Sequence, residues 1–499
     1  MMEDKSNLSG LPKGWAWATI EDVLQTLESG GRPRGGVRNI KEGVPSIGGE
    51  HLLYNGGFDF TNIRYIPREF YEKMAQGKIQ KKDVLVVKDG ATTGKTAFVA
   101  DSFPFSKAAV NEHVFILRVL EGYTEPKYLF FWMQSLYGQG CIKENFKGTA
   151  QGGINSYFVK NSNFALPPLP EQHRIVAKIE ELFTKLDAGV EALKKVKAQL
   201  KRYRQSVLKH AFEGKLTEEW RKAHKGEIEP ASVLLERIKE ERKKKAKGKY
   251  KELPPQDISD LPELPEGWAW TALGRISEII LGQSPPSSTY NEEGDGLPFY
   301  QGKLEFGNLY PTPQKWCTAP KKIAEKGDVL ISVRAPVGPT NICPEKSCIG
   351  RGLAAVRSLG GIQTLFILYL MRSFEQNLAN KGTGTTFKAI TGDMLRKFPI
   401  PLAPILEEHR LVEEVERRLS VANEVEKVVE QSLKRAERLR QSILKRAFEG
   451  KLVSQDPSDE PAEKLLERIK AEGAKHEAER KKKRTPKRKE SRKKRRRYR

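Results

Sequence analysis

The chain has 499 residues, 30% of them charged, and a formal net charge of +24. That length suffices for two or more domains with real cores, and the basic balance favours a polyanionic partner. Four cysteines with no CxxC pair, no apolar run approaching about 18 residues and no signal-like N-terminus argue against a zinc ribbon, a disulfide scaffold or a membrane protein. They point to a reducing, cytoplasmic setting.

In chain order, a loose lead-in of about ten residues precedes LPKGWAW (residues 11–17), which returns as LPEGWAW (264–270), shifted by 253. Short apolar runs at residues 84–87 and 114–117 read as strands, separated by Gly-Gly turns at 30–31, 35–36, 48–49 and 56–57. Residues 128–137 read as a helix. Prolines 167, 168 and 170 then precede a long helical pattern. Stepping by four and three from Ile175 gives Ile179, Leu182, Leu186, Gly189, Leu193, Val196, Leu200, Tyr203, Val207 and His210. Nine of these eleven positions are apolar, as a coiled coil requires. The pattern ends in QSVLKHAFEGKL (205–216), where Gly214 can take a left-handed helix cap. A short basic helix over 230–251 and a Pro-rich linker over 253–265 follow.

The same order then repeats. Residues 328–331 match the strand at 83–86 at a shift of 245, residues 366–371 match the helix near 130, and residues 398–401 match 164–167 at a shift of 234. A second helical stripe carries Leu411, Val415, Ala422, Val425, Val429, Ala436, Leu439 and Ile443, interrupted by Arg418, Ser432 and Arg446. It ends in QSILKRAFEGKL (441–452), identical to the first copy at ten of twelve positions and shifted by 236. A period this long is not a solenoid repeat; it marks two copies of one unit, each with a globular part of about 150 residues. Residues 480–499 hold fifteen Lys/Arg against one Glu, so +14 of the charge lies in this tail and +10 in the rest. The tail reads as a disordered basic block that can serve as a nucleic-acid arm.

Enzyme signatures fare badly. Gly90 to Thr96 follows a strand and ends Gly-Lys-Thr, but it is one residue short of a phosphate loop and strand-like sequence follows it. No Asn/Asp-Pro-Pro-Tyr/Phe and no Gly-x-Gly-x-x-Gly occurs. A stand-alone DNA methyltransferase or nuclease, and a coiled-coil scaffold without base reading, remain the alternatives. The pairs His173-Arg174 and His409-Arg410 stand at the helix starts and read as packing and capping elements. DNA readers need donors and acceptors on protruding loops. The candidates in the first unit are Arg32, Arg34, Arg38, Lys88, Thr92, Lys95, Lys147 and Gln151. In the second they are Ser284, Ser287, Tyr290, Gln301, Lys303, Arg334, Lys381 and Lys388.

Several stretches together resemble the specificity subunit of type I restriction–modification enzymes. They are the LPxGWxW openings, LPPLPEQHRIV (166–176), KKDVLVVKDGATTGK (81–95), GQSPPSSTYNEEGDGLPFYQG (282–302) and KGDVLISVRAPVG (326–338). The resemblance covers about residues 11–455. It implies an α+β fold with two similar target-recognition domains separated by two long antiparallel coiled-coil helices. The implied division is 1–170 and 253–405 for the domains, 171–252 and 406–480 for the helical regions, and 481–499 for the tail. It also implies that each domain reads one half of a bipartite, asymmetric double-stranded DNA target and that the chain is not catalytic. The helices would dock two modification subunits, with restriction/translocase subunits beyond them. S-adenosylmethionine, ATP and magnesium would then belong to those partners. Candidate helix-pair and subunit-interface residues are Ile175, Ile179, Leu182, Leu186, Leu193, Leu200, Val207, Phe212, Val415, Val425, Val429, Leu439, Ile443 and Phe448. The flanking Phe183, Leu208 and Val428 are expected, with Phe212 and Phe448, to form a second contact surface.

Overall fold

The computed structural model describes residues 10–38, 40–148, 152–245, 253–254, 258–381, 389–473 and 475. Its first globular part contains β1 (Ala16–Thr19), β2 (Leu24–Ser29), β3 (Val44–Ile47), β4 (Arg64–Ile66), α1 (Arg68–Lys73), β5 (Val84–Val87), β6 (Thr96–Phe98), β7 (Ala109–Val110) and β8 (Val114–Val119). Then come α2 (Pro126–Gln134), α3 (Leu136–Asn145), α4 (Phe158–Asn161), β9 (Asn163–Leu166) and the long α5 (Leu169–Phe212). The single helix expected near 128–137 is two, because the Ser135 side chain caps α3 by accepting from the Gly138 N–H.

The second part runs α6 (Glu218–Ala223), α7 (Ala231–Lys245), β10 (Ala269–Ala272), α8 (Leu273–Ile276), β11 (Ser277–Leu281), β12 (Tyr290–Asn291), β13 (Leu297–Tyr300), β14 (Lys315–Cys317) and β15 (Ile323–Ala324). It continues with β16 (Val329–Ser332), β17 (Thr340–Ile342), β18 (Ser347–Ile349), β19 (Leu353–Ser358), α9 (Thr364–Ser373), α10 (Glu375–Lys381), α11 (Gly392–Arg396), β20 (Pro399–Leu402) and α12 (Ile405–Phe448). Residues 462–473 form a last helix, α13.

Each part holds two larger sheets and one antiparallel strand pair, β1-β9 or β10-β20. In the first, β2-β8-β5-β6 is antiparallel throughout, and β4-β3-β7 joins β3 and β7 in parallel. In the second, β11-β19-β16-β17 is again antiparallel, and β12-β14-β13-β18-β15 joins β13 and β18 in parallel. One strand of each four-stranded sheet is fully buried and apolar on both faces, over Val84–Val87 in the first and over residues 329–331 in the second. One ion pair recurs under each sheet. Arg118 grips buried Asp83 at 2.7 and 2.8 Å, and Arg357 grips Asp328 at 2.9 Å through two nitrogens. The Asp328 hydrogen bond and charge raise the Arg357 pKa further above its ordinary value.

The compact units cut across the linear order. One comprises Met1–Ala192 with Ser432–Arg499; the other is Leu193–Gln431. The first domain is therefore completed by the end of α12 and by α13. Ile443, Leu444, Ala447, Phe448, Leu465 and Ile469 are buried in its core, and Phe448 meets Tyr128 and Trp132 edge-on. The second domain is completed by the end of α5 and by α7 in the same way, through Val207, Leu208, Ala211, Phe212, Leu234 and Ile238, with Phe212 edge-on to Phe366. Gly214 and Gly450 end the helices at φ +68° and +66°. In the first cap the Lys215 N–H donates to His210 O at 2.9 Å; in the second the Lys451 N–H donates to Arg446 O at 2.8 Å. A Cβ on Gly214 would meet Pro265, and one on Gly450 would meet Pro12. The two AFEGKL endings thus lock onto the two LPxGW openings.

Within each unit the two helices run antiparallel. In the second, Lys197 pairs with Glu430 at 2.7 Å and Arg204 with Glu426 at 2.7 Å; in the first, Arg440 pairs with Asp187 and stacks on Phe183. Of the positions on the expected stripes, Ile179, Val207, Val415, Ala422, Val429 and Ile443 are buried. Leu182, Leu186, Leu193 and Leu200 are half-buried along the seam, and Ile175 lies deeper, in the domain core. Other positions are displaced by one residue. Val425, Leu439 and Tyr203 face solvent, while Glu426, Arg440 and Arg204 sit in the seam and cross it as ion pairs. The expected second contact surface is also corrected. Phe183, Leu208, Phe212 and Phe448 are buried by the chain's own domains, and of that group Val428 alone is exposed. Bulky apolar residues in the last turns of each helix are spent on the adjacent domain core.

Candidate nucleic-acid interface

Sheet order brings the reading loops together at one end of each domain. In the first unit Val87 pairs with Val114 and Ser29 with Phe115, so the loops after β2 and β5 meet the loop before β8. The Asn111 N–H donates to Ile47 O at 2.9 Å, which adds the loop after β3. Lys147 and Gly153 join through bridges from Gly153 to Asp89 and to Lys147. In the second unit Ser332 pairs with Leu353 and Leu281 with Ala354, and the Gly350 N–H donates to Tyr300 O at 2.8 Å. The four strand-end loops match between the two rims. At the start of each, backbone approach is so close that a Cβ on Gly30 would lie 1.6 Å from Val110 O, and one on Gly282 would lie 2.1 Å from Gly350 O. Only glycine fits there.

The loops after β3 and β13 share a second device. The Gly48 N–H donates to His51 Nδ1 at 2.8 Å, and the Gly302 N–H donates to a Glu305 carboxylate oxygen at 3.1 Å. Each closes a one-turn helix, Gly49–His51 or Lys303–Glu305. These tips are therefore stiff presenters of side chains rather than slack loops.

The sequence candidates fall on these rims unevenly. In the first unit Arg32 is on the rim but paired with Glu112 at 2.9 Å. The Lys95 ammonium lies 4.5 Å from the centre of the Tyr54 ring, and that of Lys88 lies 5.3 Å from the Phe115 ring. Thr92 is half-buried beside Gly49, while Lys147 and Arg34 are exposed. Arg38 is exposed further along, next to Val37, which packs under the three-stranded sheet. In the second unit Gln301, Lys303, Arg334 and Ser287 are exposed, and Ser284 Oγ accepts from the Arg351 N–H at 3.3 Å. Tyr290 is engaged internally: its hydroxyl donates to Pro285 O at 2.7 Å and its ring packs on Phe299. Gln151, Lys388 and the Lys381 side chain lie outside the described residues. The Gly90–Thr96 stretch is a β5–β6 turn, closed by Gly94 N–H to Val87 O at 2.9 Å, and not a helix-capping phosphate loop.

Sequence reasoning missed Tyr54, Asp89, Glu112, His113, Leu304 and Arg351, all on the rims. His113 bridges Asp89 and Glu112, so it gathers two acids beside Arg32. Arg351 is exposed between β18 and β19, where the first unit has Glu112. The charge pattern therefore differs between two equivalent rims.

At the helix starts, Trp15 Nε1 donates to Glu171 at 3.0 Å and Trp268 Nε1 to Glu407 at 2.9 Å. Glu407 also receives Thr217 at 2.6 Å and Arg221 at 2.9 Å, whereas Arg174 in the first unit turns to Asp459 at 2.6 Å. His173 lies 3.4 Å from Glu125, and Arg410 pairs with Glu413 at 3.1 Å. These groups fasten domains to helices. Among the described residues no group of three or more His, Cys, Asp or Glu is placed to hold a metal, and no helix is long and apolar enough to cross a membrane.

Two homologous domains, each presenting a stiff, polar, strand-end rim, on a pair of long helices define a two-headed DNA-recognition protein. The family described as type I restriction modification DNA specificity domain matches residues 12–202 and 265–435. The chain is 28% identical over 457 residues to the putative type I restriction enzyme MjaX specificity subunit of Methanocaldococcus jannaschii, covering 90% of this chain and 96% of that one. It is 25% identical to the EcoKI specificity subunit of Escherichia coli, covering 93% and 96%. Among solved structures it is similar to a chain from work on assembly and conformational transition of the type I R-M system (30% identity, TM-score 0.64, covering 89% and 99%). It is also similar to the HsdS subunit from Thermoanaerobacter tengcongensis (29%, 0.52, 88% and 98%). The chain belongs to the type I restriction–modification DNA specificity family. It is a specificity subunit with two target-recognition domains, the non-catalytic recognition component.

Proposed function

We infer that each rim reads one half of a split, asymmetric DNA target and that the helices dock two copies of a methyltransferase subunit. The observation that carries this reading is the rim pair: the same loops converge in both units, yet their side chains differ, with Glu112 and His113 on one and Arg351 on the other. Equivalent geometry with unequal donors and acceptors reads two unequal sequences. The paired helices, 44 residues or about 66 Å each, then set the gap between the half-targets. S-adenosylmethionine would be bound by the methyltransferase copies, and ATP and magnesium by restriction/translocase subunits. This chain supplies their address on DNA. Exchanging residues 11–165 for those of a family member, then mapping methylated bases across a host genome, tests the reading. One half-target should change, while the other half and the gap stay. A change in both halves, or in neither, overturns it.

A further inference from the structure

Of all described large apolar side chains that face solvent, the two most exposed are Leu304, 92% accessible, and Tyr54, 78% accessible. They stand on equivalent loops, the ones that follow β3 and β13: Leu304 is the middle residue of the capped one-turn helix Lys303–Glu305, and Tyr54 lies three residues beyond the helix Gly49–His51. At this exposure burial of either side chain stabilises the fold very little. Their loops are nonetheless held rigidly. Phe306, next but one to Leu304, packs on the core with Tyr300 and Leu330, and the Thr312 N–H donates to Glu305 O at 2.8 Å. The Leu53 N–H, one residue before Tyr54, donates to Gly57 O at 2.9 Å. DNA-type donors stand nearby: the Lys95 ammonium lies over the Tyr54 ring, and exposed Gln301 and Lys303 are close neighbours of Leu304 in sequence. An apolar group aimed outward from a polar rim suits an apolar feature of a base: a thymine methyl in the major groove, or the face of a base at an opened step.

We propose that Tyr54 and Leu304 are the apolar base-contacting residues of the two rims, one for each half-target. The proposal rests on the rims being the DNA surface. The full chain, assembled with its methyltransferase partner, is titrated with a duplex carrying the target found by methylation mapping. Leu304→Ala should weaken binding roughly 5- to 30-fold, and only through the half read by the second domain. Tyr54→Ala should do the same for the other half. Neither should alter the slope of log affinity against log salt, since neither touches phosphate, nor the thermal midpoint. Replacing each thymine by uracil, one at a time, should cost the wild type affinity at one position to which the matching variant is indifferent. If an opened step is the contact instead, 2-aminopurine at that step should brighten on binding to the wild type and not to the variant. No coupling by either probe, or a penalty shared by both halves, overturns the proposal. Lys95→Ala and Lys303→Ala should each lower the salt slope by about 0.9 per lost phosphate contact. If they do not, the rims are not the DNA surface and both readings fall. If they do while Tyr54 and Leu304 are silent, only this proposal falls.

Discussion

Glu408 in the first turn of α12 is wholly buried, and neither of its carboxyl oxygens has a hydrogen-bond partner among the described residues. Burial pushes its pKa well above the ordinary 4.5. The equivalent residue at the start of α5 is Gln172, whose amide uses both its oxygen and its nitrogen: it accepts from the Glu125 N–H at 2.8 Å and donates to Pro167 O at 3.0 Å. Glu408→Gln should therefore stabilise the second unit. The sign follows from linkage. Because the folded pKa is raised, the carboxyl holds its proton in the folded state after the unfolded chain has lost it. Stability is complete below pH 4.5 and falls by about 1.4 kcal/mol per unit as pH rises toward the folded value. The positive end of α12 favours the anion by about 0.3–1 kcal/mol, less than the burial it opposes. An unsatisfied buried polar group costs about 1–3 kcal/mol, so the variant should gain about that much near pH 7.5. For a unit of this size that is a rise of roughly 2–10 °C in its thermal midpoint. Scanning calorimetry from pH 4.5 to 8.5 should show a gap between variant and wild type that widens with pH. Gln172→Glu should show the mirror image, a loss that deepens with pH. A gap that is flat across pH, or a Glu408→Gln chain less stable throughout, would refute the account of a neutral buried carboxyl.

The isolated chain should bind duplex DNA with affinity falling steeply as salt rises, through lysine and arginine contacts to phosphate. It should neither methylate nor cleave DNA when given S-adenosylmethionine, ATP and magnesium, and turnover that a point mutation in this chain abolishes would contradict its non-catalytic role. The row Val421, Val425 and Val428 is exposed on α12 in the second unit, whereas the equivalent residues on α5 in the first are Lys185, Gly189 and Ala192. Installing those three residues in place of the valines should weaken one methyltransferase copy about tenfold or more and spare the other, read as a shift toward a one-copy complex in native mass spectrometry.

Much of the fold was legible because it rests on local chemistry. The repeat, the long helices, their glycine caps and the apolar strands at 84–87 and 329–332 all leave short-range signatures. The seam was legible only in part. A template that looks for apolar residues passes over Arg204, Glu426 and Arg440, which enter the seam because each finds an opposite charge or a polar partner across it. The compact units were hidden for a different reason: that Gly450 meets Pro12, and Gly214 meets Pro265, is a long-range fit that no periodicity encodes. The rims were legible as glycine-rich turns but not as surfaces. Residue type alone cannot separate an exposed Leu304 from a buried Leu330, nor show that Tyr290 spends its hydroxyl on Pro285.

The crossed construction of the units has a consequence for how the molecule holds together. Each domain core is closed by the helix end belonging to the other repeat, and the two closing segments are nearly interchangeable. Val207, Leu208, Ala211 and Phe212 correspond to Ile443, Leu444, Ala447 and Phe448, a single conservative change in four, and all eight are buried. A chain ending near residue 252 would retain the first domain and the whole of α5, yet lose the segment that fills its own core around Tyr128 and Trp132. A second copy carries the substitute, since Phe212 can enter where Phe448 sits. Such a half-chain should therefore dimerise, each copy's α5 closing the other's domain, in the isologous manner of an exchanged element. With two identical rims its preferred DNA would be an inverted repeat of the first half-target. Light scattering gives the mass, and selection from random duplexes gives the sequence. Phe212→Ala in the half-chain should abolish the dimer while leaving the domain's strands intact by circular dichroism. A stable, monodisperse monomer of residues 10–252 would show that the first domain closes without a borrowed helix end, and the crossed arrangement would then be incidental to its stability.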